Sequence, residues 1–180
     1  MKKFKLLLLD ADVVIYLFSL GIWDEVVERC DVHLAKTVID EEAHFYETED
    51  GERYDFELRP YADAGRIAEF SLTPSGLAGF LTQFDPVYLE KLDAGEAESL
   101  AYLLTLQGEC RICSADKIVY RVLGNLRLGE RGISLEEILQ QTGLGRGLRR
   151  QFSEAYREEW TKKGFDEGMR GLGVKKPKGK

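Results

Sequence analysis

The sequence predicts an α/β fold, a parallel sheet with helices on both faces, and three observations carry that prediction. Residues 3–9 form a continuous apolar run flanked by charge, the pattern of a strand buried on both faces. Residues 110–113 form a second short apolar run late in the chain. Helical periodicity returns between and after these runs, most clearly over 95–106, where Ala97, Leu100, Ala101 and Leu104 recur at helical spacing. Alternation of strands and helices is the signature of a parallel sheet.

In chain order, the strand at 3–9 leads to a helix at 13–20. A second short helix at 22–30 has Trp23, Val26 and Val27 on its apolar side. Residues 31–35 read as a strand and 38–46 as a helix. Residues 47–73 break the rhythm. Residues 49–52 form a turn, and Tyr54, Phe56 and Leu58 alternate like an exposed hairpin strand that Pro60 ends. No Pro/Ser/Gly-rich stretch accompanies the segment, so it reads as an insertion on the domain edge rather than a linker. Residues 76–84 and 87–92 read as short helices, with Pro86 as a helix-starting residue. The strand at 110–113 is followed by a helix at 116–123.

Beyond Gly129, Ser134 and Glu137 form a capping box for a helix over 134–139. Gly143, Gly145 and Gly147 interrupt the stretch after it, and 149–163 makes a last helix with Phe152, Tyr156 and Trp160 at spacings of four. The expected organisation is a domain over 1–128, with its insertion at about 47–73, and a helical extension with a basic tail over 129–180.

Composition narrows the class. A chain of 180 residues, 44% hydrophobic, suits one compact domain with a sizeable core. The apolar run after the basic N-terminus stops at Asp10, too short for a signal peptide or a membrane span. Three cysteines make no disulfide framework, so a cytoplasmic, reducing compartment is expected and no membrane association. Cys110 and Cys113 form a Cys-x-x-Cys without a second pair or a nearby histidine, which fits small buried strand residues better than zinc, and Cys30 reads the same way. The net charge of −7 is uneven: residues 146–180 carry 11 Lys/Arg against 5 Asp/Glu, while residues 1–145 sum to −13. An acidic body with a basic tail suits contact with nucleic acid or an oppositely charged partner, or else a solvated terminus.

Four carboxylates, Asp10, Glu42, Glu96 and Asp116, fall where the expected strands and helices deliver acids to one end of a parallel sheet. Such a cluster is unfavourable unless a divalent cation neutralises it, so the chain reads as a metal-dependent hydrolase. Asp10 ends the first strand, and Asp116 follows the 110–113 strand by three residues. Glu42 lies within the apolar stripe of Val38, Ile39, Ala43, Phe45 and Tyr46, with Glu41 at its border. Glu96 and Glu98 flank the stripe of their helix about equally. Three of the four also have a simpler reading: a solvated or capping glutamate at 42, a dipole-favoured acid in a first helical turn at 96, and an N-cap at 116. Asp12 either hydrogen-bonds the cluster or caps the helix after it.

These residues lie in four segments, Leu6-Leu7-Leu8-Leu9-Asp10-Ala11-Asp12-Val13-Val14-Ile15, Val38-Ile39-Asp40-Glu41-Glu42-Ala43, Leu92-Asp93-Ala94-Gly95-Glu96-Ala97-Glu98 and Ile112-Cys113-Ser114-Ala115-Asp116-Lys117. In that order the set resembles the PIN-domain nucleases, including toxins of bacterial toxin–antitoxin pairs, over roughly residues 4–125. The resemblance implies a three-layer PIN-like fold and Mg²⁺- or Mn²⁺-dependent endoribonuclease activity. It implies Asp10, Glu42, Glu96 and Asp116 as catalytic metal ligands, and it selects Glu96 over Glu98. RNA, an antitoxin protein and a second copy of the chain are the partners it implies.

Two other classes remain in view. Asp10-Ala11-Asp12 also resembles the nucleophile pair of haloacid-dehalogenase-type phosphatases, although Val13 and Val14 stand where small polar or glycine residues are expected. The third is a non-catalytic PIN-like module that binds RNA or protein. The aromatics at 152, 156 and 160 either pack onto the body or, beside Arg146, Arg149 and Arg150, line an RNA or partner surface.

Overall fold

A computed structural model describes residues 3–8, 10–106 and 110–175. Leu9, at the end of the expected first strand, and residues 176–180 of the basic tail lie outside the described residues. The chain is α/β, built on a small parallel sheet. β1 (Phe4–Leu8) is followed by α1 (Ala11–Ser19), α2 (Trp23–Arg29) and β2 (Cys30–Ala35). A wide π-helical turn, Val38–Glu42, leads to a hairpin of β3 (Phe45–Glu47) and β4 (Arg53–Asp55). Then come α3 (Arg59–Asp63), β5 (Ala68–Phe70), α4 (Pro74–Leu81), α5 (Ala94–Thr105), β6 (Arg111–Cys113), α6 (Lys117–Asn125), α7 (Leu135–Gln141) and α8 (Glu154–Met169).

The sheet order is β5-β2-β1-β6, all parallel. The chain runs outward from β1 through β2 to β5 and later returns to β6 on the other side of β1. The strand order therefore reverses at β1, and a crevice opens beyond the carboxyl ends of β1 and β6. Leu8 pairs with Cys113 at those ends, so Asp10 and Asp116 emerge from adjacent strands.

Apolar spacing accounts for the helices that flank this edge. Val13, Val14 and Leu17 give α1 one buried face, and Ile118, Val119, Val122 and Leu123 do the same for α6. Phe18 of α1 stacks on Trp23 and Phe56, and Phe70 of β5 stacks on Tyr102 of α5, so aromatic contacts tie the sheet edge to its helices.

Several expected elements differ. The helix expected over 38–46 is replaced by the π-helical turn and β3, because Phe45 and Tyr46 find better partners across the hairpin. Tyr46 stacks on Tyr54 at 5.3 Å and Arg53 lies over the Phe45 ring. Only Arg53–Asp55 of the exposed strand forms: Leu58 is buried in the core, and Pro60 opens α3 rather than closing a strand. The 47–73 segment also contains β5, which belongs to the main sheet, as a three-residue strand too short to show alternation. Residues 87–92 form successive turns instead of a helix. The Asp85 side chain accepts from the Val87 N–H, and Val87 is 76% exposed, so no apolar face supports a six-residue helix.

The extension beyond Gly129 shares the core of the rest. Ile133, Leu135, Ile138, Leu139 and Phe152 join the same hydrophobic cluster, and the Ile133 N–H donates to Ile112 O at 2.9 Å. Phe152 precedes α8 and stacks on Tyr16 at 4.1 Å, while Ser153 caps the helix by accepting from the Tyr156 N–H. α8 runs past Gly164 to Met169 because its glycines permit a close crossing with α6. A Cβ on Gly164 would stand 1.9 Å from Arg121 O, and one on Gly124 would stand 1.9 Å from Thr161 O. Past α8 the chain returns to pair with residues 83–85: the Asp85 N–H donates to Gly173 O and the Lys175 N–H to Gln83 O, each at 2.8 Å.

Gly124→Ala or Gly164→Ala is expected to force the two helices apart at a cost of roughly 1–3 kcal/mol or more. Thermal unfolding reads this as a lower Tm, and an unchanged Tm in both variants would contradict the close crossing.

Candidate functional site

Beyond the ends of β1 and β6 lies a cavity of about 290 Å³ lined by Asp10, Ala11, Asp12, Glu42, Asp93, Glu96 and Asp116. Six of these seven residues are carboxylic acids, and none is a lysine, arginine or histidine. All four sequence-derived candidates line it, although their segments lie far apart in the chain.

Three helices begin at this cavity, and each uses one of its acids as N-cap. Asp10 caps α1, Asp93 caps α5 and Asp116 caps α6, accepting from the Val13, Glu96 and Ile118 backbone N–H groups at 3.0, 2.8 and 3.0 Å. The positive ends of three helix dipoles therefore face the acids and offset part of their charge. Asp12, read from the sequence as an alternative cap, sits exposed in the first turn of α1, and Asp10 takes the cap position instead.

Asp10 is the most firmly held of the group. Besides the cap bond, its Oδ2 accepts from Ser114 Oγ at 2.7 Å and from the Ala115 N–H at 2.9 Å. Ser114 Oγ in turn accepts from the Asp116 N–H at 2.9 Å, so one buried serine couples Asp10 to the start of α6. Burial pushes the Asp10 carboxyl up to about 6, even though these hydrogen bonds favour its charged form.

Glu96 is 2% exposed and closes a capping box, its side chain accepting from the Asp93 N–H at 3.2 Å. Burial first, then the charges of Asp93 and Asp10, push it up to about 9. Glu98, its competitor, is turned elsewhere: it accepts from Thr37 Oγ1 at 3.0 Å and the Leu72 N–H at 2.9 Å, a bracing role between loops. Glu42 is half-buried and Glu41 exposed. Burial and the Asp93 charge push Glu42 up to about 7 against the Gly95 backbone N–H, which favours its charged form, and its Oε2 is buried without a hydrogen-bond partner among the described residues. Since 38–42 is a π-helical turn, the 3.6-residue phase used to separate Glu42 from Glu41 does not describe this segment. Gly95 makes room for Glu42, because a Cβ there would stand 2.8 Å from Glu42 Oε2.

The donor set suits a hard divalent cation. Every lining acid offers oxygen, the charge is uncompensated by lining side chains, and Glu42 Oε2 lacks a partner among the described residues. Among those residues, no group of three or more His, Cys, Asp or Glu side chains is drawn together as a ready-made metal cage. The three cysteines are buried and unbridged. Sequence reading passes over Asp93 and Ser114 as site residues. The Asp-x-x-Glu spacing of Asp93 and Glu96 is a capping-box signature that marks the first, whereas the Ser114 bridge to Asp10 spans 104 residues and leaves no local pattern. Compared with family models, curated proteins and solved structures, the chain matches none of them.

A folded state that raises the Glu96 carboxyl from 4.5 to about 9 binds more protons than the unfolded chain between those values. The stability of the metal-free protein is therefore expected to fall as pH rises through that window, with Glu42 and Asp10 adding to the loss in its lower part. Glu96→Gln keeps an acceptor for the Asp93 N–H and removes the charge. It is expected to raise the Tm at pH 8 in EDTA by several degrees, at about 2–4 °C per kcal/mol recovered. A Tm that does not change with pH would show that these acids are not strained by burial.

Proposed function

We propose that the protein is a Mg²⁺- or Mn²⁺-dependent endoribonuclease with a three-layer PIN-type fold, hydrolysing phosphodiester bonds of single-stranded RNA. The observation that carries this reading is the six-acid cavity at the strand-order reversal, with the unpartnered Glu42 Oε2 inside it. Asp10, Glu42, Glu96 and Asp116 are the residues that would hold the cation. When bound, a divalent ion acidifies water near neutral pH and neutralises charge building on a phosphate.

The protein's own groups divide the remaining work. Asp10, fixed by three donors, sets the orientation of a carboxylate at the crevice floor. Glu42, whose Oε2 has no hydrogen-bond partner among the described residues, would offer that oxygen to the cation, and a bound cation would hold its carboxyl in the charged form that burial disfavours. Asp116 and Asp93 anchor helix starts, so the acids they present are positioned by backbone rather than by flexible side chains. A phosphatase reading with Asp10 as nucleophile is less favoured, since both its oxygens already accept hydrogen bonds. A toxin role, an antitoxin partner and a homodimer belong to the same proposal. Among the described residues no helix is long and apolar enough to cross a membrane.

With Mn²⁺ or Mg²⁺ the purified protein is expected to cut single-stranded RNA, and excess EDTA to abolish cutting. Asp10→Asn retains the cap acceptor but sets an amide NH2 against the Ala115 N–H, so a lower Tm with a folded circular dichroism spectrum is expected, together with a loss of about 100-fold or more in rate. Undiminished cutting in EDTA, or by Asp10→Asn, would overturn the reading.

A further inference from the structure

Beside the cavity, α8 supplies a cationic feature from outside the segment that resembles PIN domains. Lys117, the residue after Asp116, and Lys163 of α8 both place their ammonium groups over the Trp160 indole, 5.1 and 4.7 Å from the ring centroid. The two ammoniums are therefore no more than about 10 Å apart. The arginines of α6 and α8 are neutralised: Arg121 pairs with Glu167 at 2.9 Å and Arg157 with Glu137 at 2.8 Å. Lys117 and Lys163 pair with no carboxylate among the described residues, although the chain carries 32 acidic residues.

An indole face stabilises a cation above it. Two like charges within about 10 Å of each other still repel, and an anion beside both offsets that repulsion. The location is also fixed. Lys117 opens α6, whose cap Asp116 lines the cavity. Tyr156, one turn before Trp160, lies against the Lys117 backbone N–H and within reach of the Asp116 charge. The lysine pair thus stands on the Asp116 side of the cavity.

We infer that Lys117 and Lys163, held on Trp160, form an anion clamp for a phosphodiester of single-stranded RNA adjoining the one presented to the acids. This rests on the nuclease reading for its substrate, and it adds a binding subsite built by the C-terminal helix. It also gives a negatively charged strand a point of attachment beside a cavity that would otherwise repel it.

The test is fluorescence anisotropy with a labelled single-stranded oligouridylate in EDTA, where binding is read without cleavage, over a range of salt concentrations. Lys117→Ala and Lys163→Ala are each expected to weaken binding about tenfold. Each is expected to lower the log–log salt slope by about 0.7, and Lys163→Arg to restore both. Lys163 is exposed, so its variants should keep the wild-type Tm. Lys162→Ala, an exposed neighbour on the same helix, is the control and should bind as wild type. The clamp is overturned if both alanine variants bind as wild type, if Lys162→Ala weakens binding equally, or if wild type does not bind in EDTA. Cleavage by wild type in Mn²⁺ with no effect of the lysine variants on binding would leave the nuclease reading standing and remove the clamp. Weakened binding by the variants, with no cleavage in Mn²⁺, would keep the clamp and remove the nuclease reading.

Discussion

Like charges that cannot separate dominate this molecule. Six acids share one cavity because strand order and helix starts bring them there, and burial denies Asp10 and Glu96 the water that would screen them. The surroundings answer with dipoles instead of opposite charges: three helix N-termini, the donors from Val13, Ser114 and Ala115 on Asp10, and the Asp93–Glu96 capping box. These partial charges hold the acids in place without neutralising them. The net result is a preference for a proton, visible in the upward displacement of Asp10, Glu42 and Glu96.

The scaffold explains how such a site stays ordered. Capping acids have their backbone fixed at a helix start, so Asp10, Asp93 and Asp116 lose little freedom on entering the cluster. Ser114 adds a cross-connection, bridging the ends of two adjacent parallel strands, and its backbone is held in turn by the Tyr120 hydroxyl. Gly95 lets a helix start approach the Glu42 carboxylate closely. Each feature is local in space, and together they convert four distant stretches of sequence into one wall of oxygen atoms.

How much of the structure is legible in the sequence depends on how local its cause is. The parallel class and the helices at α1, α5 and α6 follow from apolar spacing and cap residues, and both signals lie within a few positions. The edge strand β5 and the π-helical turn do not, because a three-residue strand is defined by its neighbour and a widened turn by tertiary contacts. Sequence pattern ends α8 too early, at Lys163, since a glycine read alone breaks a helix, while Gly164 here serves a helix crossing that only the folded chain contains. Among the acids, strand position places Asp10 and Asp116, whereas separating Glu96 from Glu98 needs the partners Thr37 and Leu72, which lie 61 and 26 residues away from Glu98.

The return of the chain after α8 has a consequence for the order of folding. Residues 173–175 pair with 83–85, and Asn125 of α6 donates to Leu172 O and accepts from the Val174 N–H. The C-terminal end of the helix that begins after Asp116 is therefore packed against nearly the last described residues. During synthesis the early strands emerge long before the segment that locks them, and contacts of such separation form late because loop closure precedes any reward. The far end of α6 is thus fastened by residues close to the end of the described chain, while every acid of the cavity lies before residue 117 and is held by groups no later than Ile118.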